Sequence, residues 1–260
     1  SGPARTARVK RLARRNPIGV IGLSVLIVVV LLAIFAGLVA PFDPAAQPAE
    51  RLTAPNGTYW FGTDEFGRDV FSRVVWGTRI SLYVGVISVA IAIAIGVTLG
   101  LIAGFYGGWP DSIIMRLIDV LFAFPTIVLA IAITGILGPS LINATIAIGL
   151  VYAPVFARVT RGPVLSTVNL EYVQAARTIG ASDSRIVLRH VFPNVTAPLI
   201  VQTTLALSTA ILAEAALSFL GLGTQPPEPS WGTMLGTGRK FLELSPWVAI
   251  FPGLAIVVTV

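Results

Sequence analysis

Residues 171–194 read EYVQAARTIGASDSRIVLRHVFPN, and the meaning of this stretch decides the fold. It parts long apolar runs and is the most basic part of the second half of the chain, holding Arg177, Arg185, Arg189 and the single histidine, His190. Leu165, Val168, Tyr172, Ala175, Ala176 and Ile179 recur at gaps of three and four, the spacing of one apolar stripe on a helix. Gly180 breaks the pattern, because glycine takes the backbone angles that end a helix at little cost. Ser182 and Asp183 suit the start of a second short helix carrying Arg185, Ile186, Arg189 and His190, and Pro193 is expected to stop it. A helix, a glycine elbow and a shorter helix between two membrane spans describe a docking knuckle. On spacing alone, an amphipathic helix lying on the membrane surface fits the same residues equally well.

The runs on either side set the class. The 260 residues are 55% hydrophobic and 12% charged, whereas an ordinary soluble domain is about 25% charged. Several apolar runs exceed the ~18 residues that signal a spanning helix, so the fold class is an all-α polytopic membrane protein. A β-barrel would show short alternating segments instead. The net charge of +6 comes from residues at the ends of spans, which makes it a topology signal rather than a nucleic-acid footprint. The absence of cysteine removes disulfide frameworks and thiolate metal sites. A lone histidine makes no metal site, and no phosphate-binding G-x-x-x-x-G-K-[ST] run occurs, so the chain reads as non-catalytic.

Residues 1–16 are a basic N-terminus with Arg5, Arg8, Lys10, Arg11, Arg14 and Arg15 and no acid. The apolar run after them is too long for a cleaved signal, and residues 17–41 are the first span. Residues 42–79 form an extracytoplasmic segment. Within it Phe66, Val70, Phe71, Val74 and Val75 share one helical face, with Glu65, Asp69 and Arg73 opposite, where Asp69 and Arg73 can pair. That pattern predicts an interfacial helix with an exposed polar face, which accounts for Asp64 and Glu65 better than acid–base catalysis does. Residues 80–260 form the core, with spans at 80–104, 111–134, 141–157, 197–220 and 246–260, a basic loop at 158–195 and an outer loop at 221–245. Gly96, Gly100 and Gly104 make a flat strip for close helix packing. The last run is too short to cross a ~30 Å hydrocarbon layer at ~1.5 Å per residue, so the sixth span is expected to be cut short by the end of the sequence. Basic residues concentrate in the N-terminus and the 158–195 loop, which places both on the cytoplasmic side. Asp119 and Glu214 fall inside spans and should face the bundle interior or a water-filled path. Arg116, three residues before Asp119, is the expected partner of that acid, and Glu214 is a candidate gate residue.

The pattern Ala175-Ala176, three residues, Gly180, then a basic helix ending in Pro193-Asn194 resembles the EAA loop of ABC importer permeases. Gln174 departs from it, standing where that loop has Glu. The runs FGTDEFGRDVFSRVVWGTRISL from Phe61 and ILAEAALSFLGLGTQPPEPSWG from Ile211 are similar to signatures of C-type permeases of dipeptide and oligopeptide importers, and all occur in family order. The resemblance implies a type I ABC importer permease bundle of about six transmembrane helices in the bacterial cytoplasmic (inner) membrane, with a cytoplasmic coupling helix. It implies that Glu171, Tyr172, Gln174, Ala175, Ala176, Arg177, Gly180, Ala181, Arg185, Arg189, His190 and Pro193 form the ATPase contact. The implied partners are a homologous second permease subunit, two ABC ATPase subunits or a fused ATPase, and an extracytoplasmic substrate-binding protein. ATP and Mg would be bound by the partner subunits, with no cofactor in this chain. Peptides are the expected cargo; nickel chelates or haem are the alternative within the family. An ion-coupled secondary transporter would tend to show internal repeats, which are absent. An intramembrane protease would need paired aspartates or a Ser/His pair in the spans, which Asp119 and His190 do not supply.

Overall fold

The computed structural model describes residues 17–260; the basic segment 1–16 lies outside the described residues. Among the described residues the regular structure is helical apart from one isolated antiparallel bridge, Thr63 to Asp69. In chain order the helices are α1 (Pro17–Ile34), α2 (Ala36–Val39), α3 (Val70–Tyr106), α4 (Gly108–Phe122), α5 (Thr126–Leu137), α6 (Leu141–Thr167), α7 (Glu171–Thr178), α8 (Asp183–Phe219), α9 (Trp231–Gly238) and α10 (Trp247–Thr259). Helices α3, α6 and α8 are each long and apolar enough to cross a membrane, and α4 and α5 qualify as a pair bent by 91°. The chain divides into two compact units, 1–82 with 227–260, and 83–226.

In the unit 83–226, α3 lies against α6 along the glycine strip. A Cβ on Gly96 would collide with the carbonyl oxygen of Ala153, one on Gly100 would lie 2.5 Å from that of Ala157, and one on Gly104 would lie 2.8 Å from Val164. The two backbones therefore meet with no side chain between them on the α3 side, the geometry that small residues permit in membranes. The buried Ser88 hydroxyl adds a bond to the Thr145 carbonyl at 2.9 Å. Helix α6 does not end at residue 157 but runs on to Thr167, with Pro154 and Pro163 inside it. Thr160, Val164 and Thr167 are buried along this extension, and its two arginines find acids on α4. The side chain of Arg161 forks onto Asp111 with Nε–Oδ1 at 2.5 Å and a second bond to Oδ2 at 2.6 Å.

The expected third span at 111–134 is instead two helices. Pro125 has no N–H to donate and disfavours helical angles in Phe124. Helix α4 closes at Phe122, Pro125 occupies the N-cap of α5, and the chain turns by 91° between them.

In the unit 1–82 with 227–260, the expected interfacial helix is absent. Residues 61–69 are non-helical, and helix α3 starts at Val70 with Asp69 Oδ2 accepting the Ser72 N–H at 2.8 Å. It then continues unbroken into the second span. The polar face predicted to be exposed is inside: Asp64, Asp69 and Arg73 are buried. Asp64 accepts the Phe66 and Arg68 amides and the Arg68 Nε at 2.6 Å. Arg73 lies 3.6 Å from Asp64 and donates to the Pro44 carbonyl at 2.8 Å, so it does not pair with the Asp69 side chain. The physical reason is the fold-back of 42–64 onto the start of α3, where the Phe42 N–H donates to the Ser72 hydroxyl and the Pro44 carbonyl meets Arg73. Gly67, at φ +80°, makes that fold-back possible, because a Cβ there would strike the Ala49 carbonyl. Trp247 and Trp231 tie the two segments of this unit together, donating to the carbonyls of Thr63 and Val74.

Candidate functional site: the knuckle between α6 and α8

The predicted stripe from Leu165 to Ile179 is not one helix face. The helix breaks at residues 168–170, so Leu165 and Val168 belong to the end of α6 and the rest to α7. The inward residues of α7 are Val173 and Ala176, while Tyr172 and Ala175 face out and Ile179 is 85% exposed. Val173 was missed; its i, i+3 spacing to Ala176 is the sequence signal that could have found it.

The elbow is built by backbone hydrogen bonds. The Gly180 N–H donates to Arg177 O at 2.9 Å and the Ala181 N–H reaches back to Ala176 O at 3.0 Å. This pair of bonds is a Schellman termination, with Gly180 at φ +80° in the left-handed position. Gln174 donates its side-chain amide to Val168 O at 2.8 Å, closing the end of α6. Ser182 occupies the N-cap of α8 by its backbone, with its hydroxyl 3.4 Å from that of Ser184.

Pro193 does not stop the second helix. Residues Val187–Val191 widen into a π turn in which the Phe192 N–H donates to Val187 O, five residues back. The hydrogen-bond register shifts just ahead of Pro193, and the proline falls in the first turn of the α-helical stretch Phe192–Phe219, where its missing N–H costs least.

The knuckle is fastened to the body by few polar contacts. Arg177 stands over the Phe105 ring at 5.0 Å, near the end of α3. The Asn194 amide donates to the Tyr172 hydroxyl at 3.1 Å and to the His190 carbonyl at 2.7 Å, and the Tyr172 and His190 rings are 6.0 Å apart. Glu171, Arg185, Arg189 and Pro193 point to the exterior, and Ala181 is half-buried. Glu171 in the first turn of α7 and Arg177 in its last turn both complement the helix dipole. Leu170, Tyr172, Ile179 and Leu188 remain exposed around the elbow. Leu170 and Leu188 were not among the expected contact residues, because sequence periodicity does not say which apolar residues stay uncovered.

Asp119 pairs with Arg158 of α6 at 2.5 Å rather than with Arg116. Arg158 also covers the Phe122 ring at 4.1 Å. Glu214 is fully buried in α8, accepting the Ser218 hydroxyl at 2.6 Å, with the Thr224 hydroxyl at 3.4 Å. It is not among the residues lining the ~420 Å³ cavity bounded by Ile127, Ala130, Val151, Tyr152 and Leu212. Among the described residues no cluster of His, Cys, Asp or Glu is arranged to hold a metal ion.

Long apolar helices, a glycine-packed pair and a knuckle joining two of the longest helices define a multi-pass helical membrane protein. The chain belongs to the family described as binding-protein-dependent transport system inner membrane component, which matches residues 96–260. Residues 6–55 match the N-terminal TM domain of oligopeptide transport permease C. Dipeptide transport system permease protein DppC of Alkalihalophilus pseudofirmus is 48% identical over 248 residues, 95% of this chain and 82% of that protein. Di/tripeptide transport system permease protein DppC of Pseudomonas aeruginosa is 46% identical, over 92% of this chain and 81% of that one. Glutathione transport system permease protein GsiD of Pectobacterium atrosepticum is 44% identical, over 96% and 84%. Among solved structures, inward facing conformations of the MetNI methionine ABC transporter superimpose with a TM-score of 0.58 at 19% identity, covering 72% of this chain and 88% of that one. The fold is that of a type I ABC importer permease, and the chain is a multi-pass inner-membrane permease of the C-type peptide-importer family.

Proposed function

We propose that this chain forms half of a peptide path through the cytoplasmic membrane and couples ATP hydrolysis in partner ATPase subunits to uptake. The observation that carries the reading is the Schellman elbow at Gly180, which holds an exposed apolar rim, Tyr172, Ile179 and Leu188, between two membrane-crossing helices. A partner gripping that rim would move α6 and α8 together. The second half of the path would be a homologous permease, with two ATPase subunits or a fused ATPase below, binding ATP and Mg, and a substrate-binding protein on the outer side. The N-terminus and knuckle would be cytoplasmic. Peptide cargo is supported by the names of the relatives, which carry dipeptides, tripeptides or glutathione.

Ala176 is inward-facing and only 7% exposed, so the cross-linking position of choice is Ile179. A photo-reactive residue at 179 in the assembled transporter should capture an ATPase subunit. Capture of lipid alone would mean that the knuckle lies on the membrane surface and that the coupling reading is wrong. Glu214 is a candidate gate residue; Glu214→Gln leaving both peptide uptake and complex stability unchanged would remove it from that role.

A further inference from the structure

Two ion pairs join α4 to α6, and they are built differently. Asp111 and Arg161 make a two-toothed fork with side chains 17% and 32% exposed, the arrangement of a structural brace. Asp119 and Arg158 touch through a single bond, with side chains 61% and 49% exposed. Asp119 Oδ2 and most of the Arg158 N–H donors have no hydrogen-bond partner among the described residues. Arg158 lies in α6, which is long and apolar enough to cross a membrane, and Asp119 in α4, which qualifies only as half of the bent pair. A half-open ion pair facing hydrocarbon leaves polar atoms unpaired at high cost, so the open side of this one needs water. Glu214 provides the contrast: the same chain buries that acid completely and sets hydroxyls on it.

We propose that Asp119 and Arg158 line the water-filled path as a charged station that takes the oppositely charged ends of a passing zwitterionic peptide. The inference rests on the proposed transport function and adds its point of substrate contact. The carboxylate of a peptide matches the free N–H fork of Arg158, and its ammonium matches the open oxygen of Asp119. One bond between the two side chains is weak enough to open when cargo arrives and close after it leaves. The Phe122 ring holds the guanidinium in place through the exchange.

The chain has no cysteine, so an introduced thiol is the sole one it carries. Asp119→Cys in the assembled transporter, reconstituted in vesicles, should react with a positively charged, membrane-impermeant methanethiosulfonate at least about tenfold faster than Leu26→Cys in the exposed face of α1. In parallel, uptake of Ala-Ala, its C-terminal amide and its N-acetyl form is measured with the binding protein saturated by each. Arg158→Gln should slow Ala-Ala about fivefold and leave the amide unchanged, and Asp119→Asn should slow Ala-Ala about fivefold and leave the N-acetyl form unchanged, the scale of a solvent-exposed charge pair. Equal slowing of all three by both variants, or labelling of Asp119→Cys no faster than of Leu26→Cys, would overturn the station and leave a second brace. The labelling arm needs no transport, so failure of the wild-type complex to take up any peptide would count against the proposed function separately.

Discussion

At Gly180 the backbone stands at φ +80° with no atom within 4 Å of the space a Cβ would occupy. Substitution there is consequently a test of backbone angle alone, uncomplicated by collision. Valine in the left-handed region costs about 1–2 kcal/mol, whereas asparagine tolerates it. Gly180→Val should raise the ATP consumed per peptide imported by about tenfold with hydrolysis retained, and Gly180→Asn should transport nearly as the parent does; uptake measured beside phosphate release checks both. At Gln174 the chemistry of one group decides. Ionised glutamate has only acceptors, so it cannot donate to the Val168 carbonyl that Gln174 closes. Gln174→Glu should lower the thermal midpoint of the purified transporter, at a cost of about 1 kcal/mol for the lost bond. The elbow glycine was legible because its consequence is local. The inward turn of Val173 and Ala176 was not, because which side of a short helix faces the body depends on what the body offers.

Helix α3 and helix α6 meet on glycine, and the contact has a measurable tolerance. A Cβ at Gly100 would stand 2.5 Å from the Ala157 carbonyl, and at Gly22 of α1 it would meet nothing within 4 Å. Overpacking of this kind costs about 1–3 kcal/mol and more where backbone is the obstacle. Gly100→Val should sharply cut the yield and thermal midpoint of the folded protein, and Gly22→Val should leave both unchanged, as read by fluorescence-detected chromatography after a heat step. The strip was legible from its four-residue repeat. The elbow between α4 and α5 was written at Phe124-Pro125 and underread, since a proline within an apolar run is compatible with either a kink or a break. At Pro193 the reverse occurred: a residue that commonly ends helices is accommodated by the π turn just before it. In both cases the neighbouring helices decide whether freed backbone groups find partners.

At the scale of the chain, if α1 and the bent α4–α5 pair each cross once, the crossings before the knuckle are α1, α3, that pair and α6. That parity would put residue 179 on the side where α1 begins, and a re-entrant α4–α5 would put it on the other. In intact cells an impermeant thiol reagent should label Ala54→Cys, while Ile179→Cys should react only after the membrane is opened. Labelling of Ile179→Cys from outside would overturn the topology. The sequence by itself determined that the chain is a helical membrane protein, where its knuckle lies and which glycines pack, because continuous apolar runs, a helix stop and a four-residue repeat each express short-range rules. Only the tertiary structure decided that Asp64, Asp69 and Arg73 are buried, that Asp119 meets Arg158 instead of Arg116, and that α3 and α8 run unbroken through positions expected to divide them. Those outcomes turn on partners tens of residues away, such as the Pro44 carbonyl for Arg73, and a periodic pattern holds no record of what chain folding will bring beside it.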